Sequence, residues 1–176
     1  MGAFDEARLQ IVTALGAWDF SPAFPAGYAG TKGVLITIDS PYDTIDNMLS
    51  EGSNPTGQMT MPVIAIALAD GISAPRTLGN HSVGIAGSPP VGQSEFSVRK
   101  GLLFTIEVWA DQILGGAETV EKIAGQVDGC IFYNTTRLAA YRHLRTASAK
   151  PSYDDALQAW CCTLHVEGDA VVSYFA

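Results

Sequence analysis

Residues 102–110, LLFTIEVWA, alternate along their whole length. Successive side chains of a β-strand point to opposite sides. Leu102, Phe104, Ile106 and Val108 therefore share one face, and Leu103, Thr105, Glu107 and Trp109 share the other. A chain with such a segment must build a sheet and bury at least the first face. The second face is half apolar, so a helix edge or another subunit is expected to cover it.

A contrasting period follows. From residue 117 to about 136, Val120, Ile123, Ala124, Val127 and Ile131 recur at three and four residues, with Glu118, Glu121, Lys122, Gln126 and Asp128 between them. That is one apolar stripe and one wet face of a helix. The stripe matches the strand face of Leu102, Phe104, Ile106 and Val108 and is expected to pack on it. A second helix is predicted over residues 4–18. Phe4, Ala7, Ile11 and Leu15 form its stripe with Val12 alongside, Asp5 and Glu6 sit in its first turn, and Gly16, Pro22 and Pro25 end it.

Further strands are predicted over residues 33–39, 58–69, 94–110 and 159–167, the last with Trp160, Cys162, Leu164 and Val166 on one face. Pro62 has no N–H to donate, so its end of the strand belongs at an edge or bulge. Gly168 and Asp169 read as a turn before a short closing strand at 170–175. Residues 137–146 either continue the helix or start a strand, and 147–155 read as a loop with Pro151. Two long Gly/Pro-rich loops are expected, at about 40–57, with a possible helical turn over 42–49, and at about 71–92. The latter is either a surface excursion or a hairpin reaching away from the body. The whole describes one α+β domain over residues 1–176: a mainly antiparallel sheet, two principal helices packed on one face, and long loops.

Charged residues are 16% of the chain against 47% hydrophobic, well under the roughly 25% usual in soluble domains. Glycine, counted 18 times, accounts for part of that surface, and coverage by partners is expected to account for more. The net charge of −8 opposes general phosphate binding but suits a surface that DNA passes without sticking. The opening MGAFDEARLQ lacks a charged region followed by an apolar run, so no signal peptide is expected. No apolar stretch reaches the ~20 residues of a membrane span, and an origin in the cytoplasm is expected.

Candidate chemistry is sparse. His81, His143 and His165 are far apart and lack metal-site spacing. Cys161 and His165 would face one way on a strand and Cys162 the other, so they make a poor ligand set, and no metal or cofactor is expected. Cys130 lies in an apolar helical stretch, where a thiol is inert. No GxSxG elbow occurs. The GGAET turn at 115–119 lacks the Lys-Ser/Thr pair of a phosphate loop, and Glu118 would repel an anion. Asp39, Asp43 and Asp46, like Asp154 and Asp155, read as solvated loop or cap residues. Arg137, Tyr141, Arg142, His143 and Arg145 form the one basic cluster. In so acidic a chain it reads as an intersubunit salt-bridge surface rather than a nucleic-acid site.

From residue 105 to 140 the chain runs through TIEVWAD, the turn LGGAE, the helix ETVEKIAGQVDGCI, a polar segment and a two-stranded end. This layout resembles the tail-terminator, or tail-completion, subunits of long-tailed bacteriophages and the related head–tail joining proteins. The resemblance runs from about residue 94 to the C-terminus and is loose elsewhere. It implies an α+β subunit without catalytic residues, in a homo-oligomeric ring, commonly a hexamer, on the last disc of the tail tube. The ring would stop tube growth, dock the head connector or head-completion protein, and let DNA pass its lumen. The implied location is the virion tail or neck. The alternatives are another neck or tail-tube protein or, from a different class, a ligand-binding or hydrolytic enzyme with a pocket in residues 70–92. Leu103, Thr105 and Trp109 on the second strand face, and Met48, Leu49, Ile72, Leu78, Val83 and Ile85 in the long loops, are the expected oligomer-interface residues.

Overall fold

A computed structural model describes residues 3–26, 28, 33–50, 57–68, 75–76, 95–134 and 142–175; the side chains of 3–7, 68, 75–76, 95–102, 142–145 and 169–175 are not described. The elements are, in order, α1 (Ala3–Gly16), a 3-10 turn (Ser21–Ala23), β1 (Leu35–Thr37), α2 (Pro41–Ser50), β2 (Val63–Leu68), β3 (Pro75–Arg76), β4 (Glu95–Asp111), α3 (Gly116–Asn134), β5 (Arg142–Ser148), β6 (Ser152–Asp154) and β7 (Ala159–Phe175). The fold is α+β. Its sheet runs β1-β2-β4-β7-β5, with β3 added to β4 and β6 to β7. The β1–β2 pair is parallel, and all the others are antiparallel.

The spine is the β4–β7 ladder, unbroken from Glu95 opposite Phe175 to Asp111 opposite Ala159. Each of these strands has 17 residues, which at ~3.4 Å per residue is about 55 Å. Helix α3 has 19 residues and spans only about 28 Å at its shorter rise. The ribbon is thus roughly twice as long as the helix laid on it.

The alternation of 102–110 is realised as predicted where side chains are described. Phe104, Ile106 and Val108 are fully buried. They align with Ile66 and Ile64 of β2 and with Val166, Leu164 and Cys162 of β7. Helix α3 packs on β4 and β7 and buries Val120, Ile123, Ala124, Val127 and Ile131. Helix α1 lies beside it over β1 and β2, burying Ile11 and Leu15. Trp18 joins the two helices: its indole N–H donates to Gln126 Oε1 at 3.1 Å, and its ring stands 5.8 Å from that of Tyr133.

Three expectations need correction. Residues 41–50 form a ten-residue helix rather than a loop with one turn. Ile45 and Met48 on it are buried, because the helix bridges two parallel strands and must lie against the sheet. Gly168 and Asp169 make no turn: β7 continues through them, paired with Leu102 and Gly101. The C-terminal segment is therefore an inner strand, held by β4 on one side and β5 and β6 on the other. Residues 152–154, expected as loop, form β6 against Ala159–Cys161 of β7. Residues 142–148, left open between helix and strand, form β5. Most of the 71–92 loop lies outside the described residues.

Candidate assembly surface

Among the described residues, the second face of the sheet is closed at one end only. Cross-strand neighbours Val63, Trp109 and Cys161 are all buried. Helix α2 covers them: Tyr42 meets Trp109 edge to face, with ring centroids 5.8 Å apart. The Tyr42 hydroxyl donates to Asp154 Oδ2 at 3.0 Å, which ties the helix to β6. That bond raises the Tyr42 hydroxyl above its ordinary pKa. Trp109 satisfies its own N–H on Glu107 Oε2 at 3.2 Å. Met48 sulfur accepts the N–H of Thr60, so the residues just before β2 are pinned to α2 as well.

Beyond that end the face has no helix among the described residues. The row Ala67, Thr105, His165 and the pair Leu103, Glu167 range from half-buried to exposed. The expected interface residues therefore divide. Leu103 and Thr105 lie on the open part. Trp109 is covered within the subunit and 3% exposed, and Met48 is in the core, with Leu49 packed against it. Ile72, Leu78, Val83 and Ile85 lie outside the described residues. Exposed apolar side chains that sequence periodicity did not single out include Leu9 on α1, Leu35 and Ile38 at β1, Ile113 after β4, and Phe132 on α3, which is 83% exposed. Phe132 had a signal, since it falls one residue off the buried stripe of α3.

Two clefts among the described residues lie against the sheet, the second of them on its helix side. One, of about 290 Å³, opens at the strand ends among Leu49, Met59, Asp111, Ile113, Tyr153 and Leu157. Its one carboxylate is committed to the backbone: Asp111 accepts the N–H of Met59 at 3.0 Å and that of Leu114 at 2.9 Å. The other, of about 350 Å³, lies between α3 and β5 and includes Glu121, Asp128, Thr146 and Lys150. There Thr146 donates its hydroxyl to Asp128.

The thiols are held protonated. Cys161 is buried on the second face, and burial pushes it up to about 12. Burial also raises Cys130 and Cys162. Cys162 lies on the helix side, its thiol donating to Ala149 O at 3.1 Å, and Cys130 reaches Ala14 O of α1. A thiol in such surroundings is packing material rather than a nucleophile. Among the described residues no three His, Cys, Asp or Glu side chains come together as a metal site. No described helix is long and apolar enough to cross a membrane. The chain matches no protein-family model and no curated protein.

Proposed function

We propose that the chain is a structural subunit of a phage virion: a tail terminator that closes into a homo-oligomeric, hexameric ring. In this role it ends the tail tube, binds the tail-tube protein on one side and the head-completion or connector protein on the other, and passes DNA through its lumen. It carries no chemistry of its own. The observation that supports this reading best is a sheet that the described residues leave half bare on its second face, while its edges β1 and β5 each have one described neighbour. A sheet of this kind is completed by other chains. The low charge density, the protonated buried thiols and the commitment of Asp111 to the backbone agree with an assembly role. The net charge of −8 keeps free subunits apart and suits a lumen that DNA slides through.

The test is genetic. Deleting the gene from its phage leaves filled heads and tails of uncontrolled length, or tails that do not join. Purified protein added back to such lysates restores joined particles under the electron microscope. Normal virions together with the loss of a metabolic activity would overturn the proposal.

A further inference from the structure

The two edges of the sheet differ in charge. Between Lys32 and Arg76 the chain has no Lys or Arg, but it has Asp39, Asp43, Asp46, Glu51 and Asp70. That stretch carries β1, one edge. Between Asp128 and Asp154 there is no Asp or Glu, but there are Arg137, Arg142, Arg145 and Lys150. That stretch carries β5, the other edge. The acids near β5 belong to inner elements: Glu167 opposite Arg145 and Asp169 opposite Arg142 on β7, and Asp128 on α3, which accepts the Thr146 hydroxyl. The outermost strands are therefore acidic-flanked on one side and basic on the other.

The backbone matches in the same sense. Leu35 donates its N–H to Pro62 O at 2.9 Å, so the alternate residue Ile36 turns its N–H and C=O away from the sheet. At the other edge Ala149 donates to Thr163 O at 2.7 Å, so Ser148 and Thr146 turn theirs outward. Ile36 aligns with Ile64, and Thr146 and Ser148 align with Val166 and Leu164, all on the helix side of the sheet. Strand direction agrees as well. With β1 and β2 parallel and every later step antiparallel, β5 runs opposite to β1.

We infer that β5 of one copy pairs antiparallel with β1 of the next, so that the sheet continues from subunit to subunit. This rests on the ring reading and names its interface. With Ile36 opposite Ser148, the bend that follows β1, which carries Ile38 and Asp39, falls at the end of the contact where β5 carries Thr146 and Arg145. Arg145 then occupies a position between Glu167 of its own chain and Asp39 of the neighbour. The helix layers stay on one side, as an alternation of outward backbone groups on matching faces requires. A two-fold contact of β1 with β1, or of β5 with β5, would also be antiparallel, but it would bring like charges together. The charge difference therefore selects the head-to-tail contact, the kind that closes into a ring when the rotation between copies allows it. Leu35 and Ile38, exposed in the free chain, gain cover from it.

The test uses the full chain. Sedimentation velocity across concentration should show species larger than a dimer, weakened by salt. Asp39→Arg and Arg145→Asp should each lower the association constant on the order of tenfold, and the two combined should recover most of it. Facing residues in such a pair have Cα atoms about 5.5 Å apart, so the double variant Ile36→Cys, Ser148→Cys should oxidise to covalent multimers beyond the dimer. Circular dichroism and melting temperature confirm that each variant folds. If rings persist while the reversals have no effect and no cross-link forms, the edge contact is wrong and the ring reading survives. If the wild-type chain stays monomeric at its highest soluble concentration and alongside tail tubes, both fail.

Discussion

Tyr42 and Trp109 meet edge to face at 5.8 Å and 64°, and this contact decides which part of the second sheet face belongs to the subunit itself. Trp109 sits one residue from the core-facing Val108, yet it is buried by a helix on the opposite side of the sheet. Trp109→Ala therefore acts on the free subunit. It should cost about 3–5 kcal/mol in urea unfolding, the usual loss for a large buried aromatic. Thr105→Ala, on the open part of the same face, should leave unfolding within about 0.5 kcal/mol of wild type. Equal, small effects at both positions would show that α2 does not close over Trp109.

Val127 is fully buried where α3 meets the sheet. Val127→Asp puts a carboxylate there without a partner and should cost at least about 3 kcal/mol. Val127→Ala, which removes only methyl groups, should cost about 2 kcal/mol. The measurement is thermal and denaturant unfolding of both variants. A soluble aspartate variant with an unchanged melting temperature would refute the packing of this stripe.

Periodicity made the helix side of the molecule legible. The stripe from Val120 to Ile131 and the row Phe104, Ile106, Val108 each repeat with their own period, and the structure joins them. The second face was harder, because its cover is a short helix whose two buried anchors, Ile45 and Met48, sit among polar residues in a stretch with Pro41, Gly52 and Pro55. Local composition there reads as loop, and only the parallel pairing of β1 with β2 makes a helix necessary. β7 misled for a related reason. Gly168-Asp169 has turn chemistry, but Leu102 and Gly101 lie opposite on β4, and the long ladder overrides the local preference. Which strands lie at the edges is a property of long-range pairing, so the open surface could be anticipated in kind but not in position.

Cys161 gives the fold an alkaline limit. Its thiol is raised from an ordinary 9.0 to about 12, first by burial. Below pH 9 the thiol is protonated in both folded and unfolded chains, and its contribution to stability is fully present. Between pH 9 and about 12 the unfolded chain releases the proton and the folded chain keeps it, so stability falls as pH rises. Cys161→Ala removes that dependence. Chemical denaturation followed from pH 8 to 11 should decline less steeply for the variant. At pH 8 the native protein should resist alkylation by iodoacetamide at Cys130, Cys161 and Cys162 until it is unfolded. Rapid native labelling of Cys161 would contradict its burial.

Glycines in and before α3 should respond in opposite directions to the same substitution. The chain leaves β4 and enters α3 through Gly115 and Gly116, both at positive φ, +95° and +54°. L-residues with a Cβ rarely adopt that conformation. Space is also lacking: a Cβ on Gly115 would run into the Thr119 hydroxyl, and one on Gly116 would lie 2.8 Å from Gln112 Oε1. Gln112 is held there because it accepts the Trp160 indole N–H at 3.2 Å, so it is not free to retreat. Gly115→Ala and Gly116→Ala should each destabilise the fold by more than about 1 kcal/mol. Gly125 differs, since it is exposed in the interior of α3 with nothing within 4 Å of a Cβ. Gly125→Ala removes backbone freedom from the unfolded chain and should stabilise by about 0.5–1 kcal/mol. Melting curves of the three variants test the junction directly: a stabilising Gly115→Ala would mean that the turn into α3 is not built as described.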